Sequence, residues 1–409
     1  MRKFDLGIII PVFFLLLTGI FQIVSYVSGA QLLNYFIAVG LGIAAMLVFT
    51  FTKYKAFLRF RAVFLYVFGI ILLVATLFLG KTVNFCRSWL DIGFVIFQPS
   101  EIAKFSTIIV LTYFLGKNYS DRNSLKTILF ITLFSAIPFL LVLKQPDIGS
   151  SLVFIFIFFI FLYLSQNFGF FLFVLATGSV LFTEIVYFCL HQGIDFRILR
   201  PLAAFLVIFF IVAKFFLRIK KPFVPVFSVC VFFILTGFFS YRVAAGFKRY
   251  QKDRLLNFVK PRRDVLNSGY HLEQSLIAIG SGKFTGKGYR RGTQSRLGFL
   301  PGRYKDFIFA SVAEEFGFLG VFLLLAAYFV LFSRMIKISA LSLDREGTFI
   351  TLAVFGVLFF QTVLNIGGVI GILPITGLPL PFVSYGGTAL VVYLSMVGIV
   401  LNVYLSSRG

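Results

Sequence analysis

Residues 6–28 read LGIIIPVFFLLLTGIFQIVSYVS. No Asp, Glu, Lys or Arg interrupts the run, and its length matches the roughly 20 apolar residues that a helix needs to cross a bilayer. The apolar core of a secretory signal is shorter, about 7–15 residues, so this run reads as a retained first span. Working outward, similar runs recur near 32–51, 62–80, 100–116, 127–143, 148–164, 168–190, 201–217, 223–241, 307–333, 347–371 and 382–406. That predicts twelve spans. Strand-like alternation is absent, so the expected fold is all-α: a polytopic transmembrane helical bundle forming one integral membrane domain over residues 1–409.

Composition agrees. Of 409 residues, 59% are hydrophobic and 13% charged, against about 25% charged in soluble domains, and mean hydropathy is +0.99. The net charge of +23 would suit nucleic acid on a soluble domain. Here the basic residues sit in short inter-span loops and one long loop, which favours anionic head groups and diphosphates as partners, with no nucleic acid. Cys86, Cys189 and Cys230 lack ligand spacing, and His191 and His271 are the two histidines, so neither a metal site nor a disulfide framework is expected.

Lys53, Lys55, Arg59 and Arg61 share alternate loops with Lys117, Arg122 and Lys126, with Lys214, Arg218, Lys220 and Lys221, and with Arg334, Lys337 and Arg345. Arg2 and Lys3 precede the first span. The positive-inside rule then puts both termini in the cytoplasm. Residues 242–306 fall outside as a large extracytoplasmic loop, with fifteen Lys/Arg against four Asp/Glu. A loop this long escapes the topology rule, but its charge should attract an anion, either as a headgroup-binding surface or as a substrate channel. Within it, Tyr250–Lys260 reads as a short interfacial helix, and Leu272, Leu276 and Ile279 as another amphipathic one. Gly280, Gly282, Gly286 and Gly288 open the backbone that follows. They fail the nucleotide-loop pattern but can present N–H groups to a diphosphate.

Polar residues inside apolar runs stand out. In Gln98-Pro99-Ser100-Glu101-Ile102-Ala103-Lys104, Glu101 and Lys104 are i, i+3 neighbours. They form either a structural ion pair or part of a cavity wall. Asp147 can cap the span after it. Glu184 sits in span seven with no basic residue nearby. Asp306 closes the basic loop, as a cap for the span from Phe307 or as a general base beside Lys305. Glu314 lies eight residues further, within about 80° of Asp306 around a helix, so a second carboxylate can approach.

Arg87-Ser88-Trp89-Leu90-Asp91, the Gln98–Lys104 segment and Gln145-Pro146-Asp147-Ile148-Gly149 resemble the SEDS family (shape, elongation, division and sporulation), its RodA branch more than its FtsW branch. So do Gly269-Tyr270-His271, Gly286-Lys287-Gly288, Gly292-Thr293-Gln294-Ser295, Asp306-Phe307-Ile308-Phe309, Asn365-Ile366-Gly367, Gly371-Ile372-Leu373-Pro374 and Ser384-Tyr385-Gly386-Gly387. The resemblance covers 1–190 and 242–409. Gly302, Tyr304 and Lys305 stand where the family pattern has Glu, His and Thr. Residues 197–241 add a helix pair to the usual ten spans, an even number that leaves the long loop outside.

The resemblance implies a peptidoglycan glycosyltransferase of the inner membrane that polymerises lipid II for elongation and rod shape, with a class B penicillin-binding transpeptidase as partner. It makes Asp306 the catalytic residue and sets Glu101 and Lys104 in a central cavity, with Asp147 and Glu314, singled out by their positions above, as further support. Lys283, Lys287, Arg290, Arg291 and Arg296 are the candidates for holding the substrate diphosphate. No dedicated metal motif is present, although a divalent cation, Mg or Mn, bridging diphosphate and carboxylate is chemically reasonable. The rival readings are a lipid II flippase and an inactive scaffold for the transpeptidase.

Overall fold

The computed structural model describes residues 5–83, 86–91, 93, 96–122, 124–166 and 268–407. The expected spans 168–190, 201–217 and 223–241, the helix pair 197–241, the interfacial helix Tyr250–Lys260 and Glu184 lie outside the described residues. So do Cys189, Cys230 and His191.

The apolar runs are helices: α1 (Leu6–Tyr26), α2 (Gly29–Phe51), α3 (Tyr54–Leu79), α4 (Pro99–Lys117), α5 (Leu125–Lys144) and α6 (Ile148–Leu164). After the undescribed stretch come α7 (Ser268–Ser281), the single turn α8 (Thr293–Arg296), and the long helices α9 (Ile308–Leu341), α10 (Arg345–Val369) and α11 (Gly387–Ser407). Seven of the described helices are long and apolar enough to cross a membrane. The polar residues of α4 lower its hydropathy, and α6 is one turn shorter than most.

Helix starts follow local chemistry. Asp5, Ser124, Asp147 and Asp344 each accept a hydrogen bond from a first-turn amide of α1, α5, α6 and α10. Pro99 occupies the first turn of α4, where no N–H is needed. Helix α9 is interrupted at Gly317, whose backbone leaves the helical region (φ 62°, ψ −159°).

The helical prediction missed a small antiparallel meander between α3 and α4: β1 (Lys81–Val83), β2 (Cys86–Asp91) and β3 (Ile96–Phe97). Thr82 faces Arg87 and Leu90 faces Phe97 across it. Lys81 pairs with Asp91, and the Arg87 amide donates to the Gln145 carbonyl at 3.3 Å, tying the meander to the α5–α6 turn.

Helices α10 and α11 form the buried centre, and α1, α2, α4 and α6 pack around them or against α9. Outward-facing Phe13, Phe36, Phe64, Phe78, Phe322 and Phe329 are exposed, as lipid-facing side chains should be. Each end of the bundle has its own polar ties. At one end Asp5 pairs with Arg334 at 2.7 Å, Lys55 with Asp344 at 2.7 Å, and Asn402 donates to the Thr50 carbonyl at 2.8 Å. The start of α1, the end of α11 and the turns α2–α3 and α9–α10 therefore meet there. At the opposite end Gln22 and Tyr26, near the end of α1, donate to Glu315 near the start of α9 at 3.1 and 2.7 Å.

Candidate active site

Asp306 sits in the turn before α9, half-buried at the end opposite Asp5 and Asp344. Asp306 is one residue ahead of the cap position. The cap position is Phe307, with no side-chain bond, because α9 begins one residue later than the sequence suggests. The turn closes on Gly302, whose carbonyl accepts from Lys305 N at 2.8 Å and Phe307 N at 3.2 Å. Gly302 has φ 66°, and a Cβ there would overlap Asp306 Oδ1. Gly302 thus gives the aspartate carboxylate its room.

Three consecutive carbonyls of this turn are held from outside it. Tyr385 N donates to the Tyr304 carbonyl at 2.8 Å, Ser384 Oγ to that of Lys305, and Asn365 Nδ2 to that of Asp306 at 2.8 Å. The Tyr304 and Tyr385 rings meet edge to face at 5.7 Å, and Lys305 lies over the Tyr304 ring. Burial, and then the nearby Tyr304, push the Tyr385 phenol above its usual value. His271 of α7 faces the Phe307 ring at 6.2 Å, and burial lowers its imidazole below the ordinary 6.5. The sequence reading sets the Pro/Gly-rich loop running into Ser384 and Tyr385 beside the cavity and places Asn365 in a family motif, but gives none of the three a part in holding Asp306. The signal available was a lone amide in an apolar span.

In the glycine-rich segment the N–H groups of Gly282, Gly286, Lys287 and Gly288 are bonded to protein carbonyls. The segment fills the break in α9. Lys287 N donates to the Glu314 carbonyl at 3.0 Å and Gly288 N to that of Glu315 at 2.9 Å, while Phe318 N and Leu319 N donate to the carbonyls of Lys283 and Phe284. Side chains at Gly286 or Gly317 would overlap the opposing backbone, and both residues have positive φ. These bonds satisfy the backbone groups that a broken helix leaves open.

Glu314 faces the 293–295 turn, fully buried. It accepts from Lys287 Nζ at 2.8 Å, Gln294 N at 2.8 Å, Ser295 N at 2.9 Å, Ser295 Oγ at 2.6 Å and Thr293 Oγ1 at 3.1 Å. Lys287 is therefore engaged inside the protein, whereas Lys283, Arg290, Arg291 and Arg296 are exposed. Of these, Arg290 reaches the Val24 carbonyl at 3.1 Å and Arg296 the Arg290 carbonyl at 2.8 Å.

Lys104 Nζ donates to Glu101 Oε1 at 2.6 Å, with each side chain 1% exposed. Glu101 Oε2, the Gln361 side-chain amide and the Tyr393 hydroxyl are buried next to one another. They come from α4, α10 and α11, and Tyr393 lies close enough to feel Glu101 and Gln361. This makes a polar core inside an apolar bundle. One turn away, Asp147 caps α6 through Ser150 N at 3.0 Å and accepts from Gln98 Nε2 at 2.8 Å. The structure thus forms two polar groupings, Asp306 with 365 and 384–385, and Glu101 with Lys104. Glu314 belongs with the basic loop.

A family model described as cell cycle protein, covering FtsW, RodA and SpoVE, matches residues 4–206 and 202–409. The chain is 35% identical over 343 residues to the peptidoglycan glycosyltransferase MrdB of Escherichia coli K12, covering 84% of this chain and 77% of that one. It is 30% identical over 394 residues to the peptidoglycan glycosyltransferase RodA of Treponema pallidum, covering 93% and 90%. A solved peptidoglycan synthase complex that coordinates polymerization and crosslinking contains a chain of similar fold, with TM-score 0.69, 25% identity and coverage of 100% and 99%. The crystal structure of rod shape determining protein RodA from Thermus thermophilus gives TM-score 0.61 at 23% identity, covering 99% and 97%. The motifs, the helical bundle and these matches agree, and the chain belongs to the FtsW, RodA and SpoVE family.

Proposed function

We propose that this chain is a peptidoglycan glycosyltransferase that polymerises lipid II at the outer face of the inner membrane, with Asp306 as general base. Family membership and the names of its relatives support the reaction class. The observation that carries the residue assignment is the Asp306 turn. An aspartate one residue ahead of the cap position is held in a turn beside Gly302, at the bundle end opposite Asp5 and Asp344.

In this reading Asp306 takes the proton from the 4-hydroxyl of the acceptor's GlcNAc. That oxygen attacks C1 of the donor's MurNAc, undecaprenyl diphosphate leaves, and inversion gives a β-1,4 link. General-base assistance of this kind contributes about 10²–10⁴-fold. The exposed cations Lys283, Arg290, Arg291 and Arg296 stabilise charge on the departing diphosphate. Lys287 instead holds Glu314, which keeps the loop bearing those cations folded. A class B transpeptidase partner accords with the neighbouring synthase complex. Both termini lie in the cytoplasm in this orientation, and the product serves cell elongation and rod shape.

The test is polymerisation of lipid II by the purified chain with its transpeptidase, wild type beside Asp306→Asn. A glycan ladder from wild type and none from the variant, with lipid II still bound by both, is the expected result. Equal ladders overturn the assignment of Asp306. Movement of lipid II across liposomes without glycan growth favours a carrier.

A further inference from the structure

The Asp306 turn is closed by its own Gly302 carbonyl and held as well from elsewhere in the fold. Helix α9 begins only at Ile308, so its hydrogen-bond ladder does not fix the peptide planes of residues 304–306. Two bonds to the Gly302 carbonyl close the turn, and bonds from Tyr385 N, Ser384 Oγ and Asn365 Nδ2 hold its three successive carbonyls from outside. The two side-chain donors are themselves anchored. Asn365 gives its second N–H to the Leu378 carbonyl at 2.8 Å, and Ser384 Oγ accepts from Leu380 N at 2.8 Å. Asn365 is 4% and Ser384 3% exposed, so bulk water is poorly placed to replace either bond. Each residue joins the 378–380 segment to the aspartate turn.

We propose that Asn365 and Ser384 are positioning residues for catalysis, holding the carbonyls of Asp306 and Lys305 so that the Asp306 carboxylate faces the acceptor hydroxyl. The proposal rests on the reading of Asp306 as general base. Neither residue touches substrate. Losing either bond leaves the substrate-binding cations in place but lets the turn rotate. A shift of about 1 Å in a reacting group costs on the order of 10²-fold in rate. The loss therefore falls on kcat and spares KM, because the missing interaction acts in the transition state. A residue that merely supported the fold would lower stability and substrate binding together.

The experiment measures lipid II polymerisation by the full chain with its transpeptidase. It compares wild type, Asp306→Ala, Asn365→Ala, Ser384→Ala and Ser384→Thr, with thermal unfolding recorded for each. Asn365→Ala and Ser384→Ala should each lower kcat by roughly 10²-fold with KM within about twofold of wild type. Ser384→Thr, which keeps the hydroxyl, should recover most of the rate. An inactive Asp306→Ala beside wild-type kcat in Asn365→Ala and Ser384→Ala overturns the positioning role alone. An active Asp306→Ala overturns the general-base reading and this proposal with it. Should Asn365→Ala not fold, the Ser384 pair decides, and Thr no better than Ala overturns the proposal.

Discussion

Gln98 and Asp147, 49 residues apart in the chain, are hydrogen-bonded through Gln98 Nε2 and Asp147 Oδ2 at 2.8 Å. Each opens a helix: Gln98 occupies the cap position of α4, and Asp147 caps α6. One carboxylate therefore sets the start of one helix and ties it to the start of another. The Gln98 amide nitrogen of the backbone adds a third tie, to Thr388 Oγ1 at 3.1 Å near the start of α11.

Asp147→Ala should lower stability by about 1 kcal/mol from the lost cap, with a further loss from the stranded Gln98 amide. Asp147→Asn, which still caps, should cost less. In a double-mutant cycle of Gln98→Ala with Asp147→Ala, thermal unfolding in detergent should show coupling of about 0.5–3 kcal/mol. Strict additivity would mean the bond carries no stability.

Gly302→Ala tests the space around Asp306. The new methyl would meet Asp306 Oδ1, and the residue would have to hold φ 66°. Polymerisation should fall by roughly 10²-fold while the protein stays folded, seen as kcat from lipid II assays beside an unchanged elution profile. Wild-type kcat in this variant would show that the carboxylate tolerates displacement.

Glu314→Ala removes a buried carboxylate that holds Lys287 and the 293–295 turn together. The amides of Gln294 and Ser295 lose their acceptor, and each unsatisfied buried group costs about 1–3 kcal/mol. The measurement is hydrogen exchange across residues 287–296, where protection should drop sharply. Unchanged protection would place the loop's stability elsewhere.

His271 gives a pH signature. Burial lowers its pKa in the folded protein below 6.5, so the imidazole is neutral at pH 7. As pH falls through 6.5 the unfolded chain takes up a proton that the folded chain refuses, so stability declines until the lower folded value is passed. This stability is complete above 6.5. Thermal midpoints at pH 7.5 and 5.5 should differ more for wild type than for His271→Gln. An equal difference would remove His271 as the cause.

Gly286→Ala should break the seam between the glycine-rich loop and α9. The added methyl would overlap the Glu315 carbonyl, and the backbone has φ 82°. A residue forced there costs about 1–2 kcal/mol in conformation before any clash. Limited proteolysis within 283–291 should accelerate markedly, and resistance equal to wild type would count against the seam.

Much of the bundle was legible because its cause is local. A run such as Leu6–Tyr26 cannot stay in water, and in lipid its backbone must bond to itself as a helix, so each described span lies close to its apolar run. The Glu101–Lys104 pair and the Asp147 cap were readable for the same reason, since each involves groups within three residues. The meander at 81–97 escaped because three short strands leave little periodicity to read.

The sequence by itself determined the helices, the basic loop and an acidic residue at its end, all from neighbours along the chain. Only the tertiary structure decided the partner of each polar group. Lys287, which reads as a free cation, is bound to Glu314 27 residues on. Glu315 belongs to Gln22 and Tyr26 of α1, and the Asp306 carbonyl to Asn365, 59 residues away. The physical reason is the same throughout. A buried donor or acceptor in an apolar bundle must find a partner, and it takes whichever group the packed helices bring beside it, however far off in sequence.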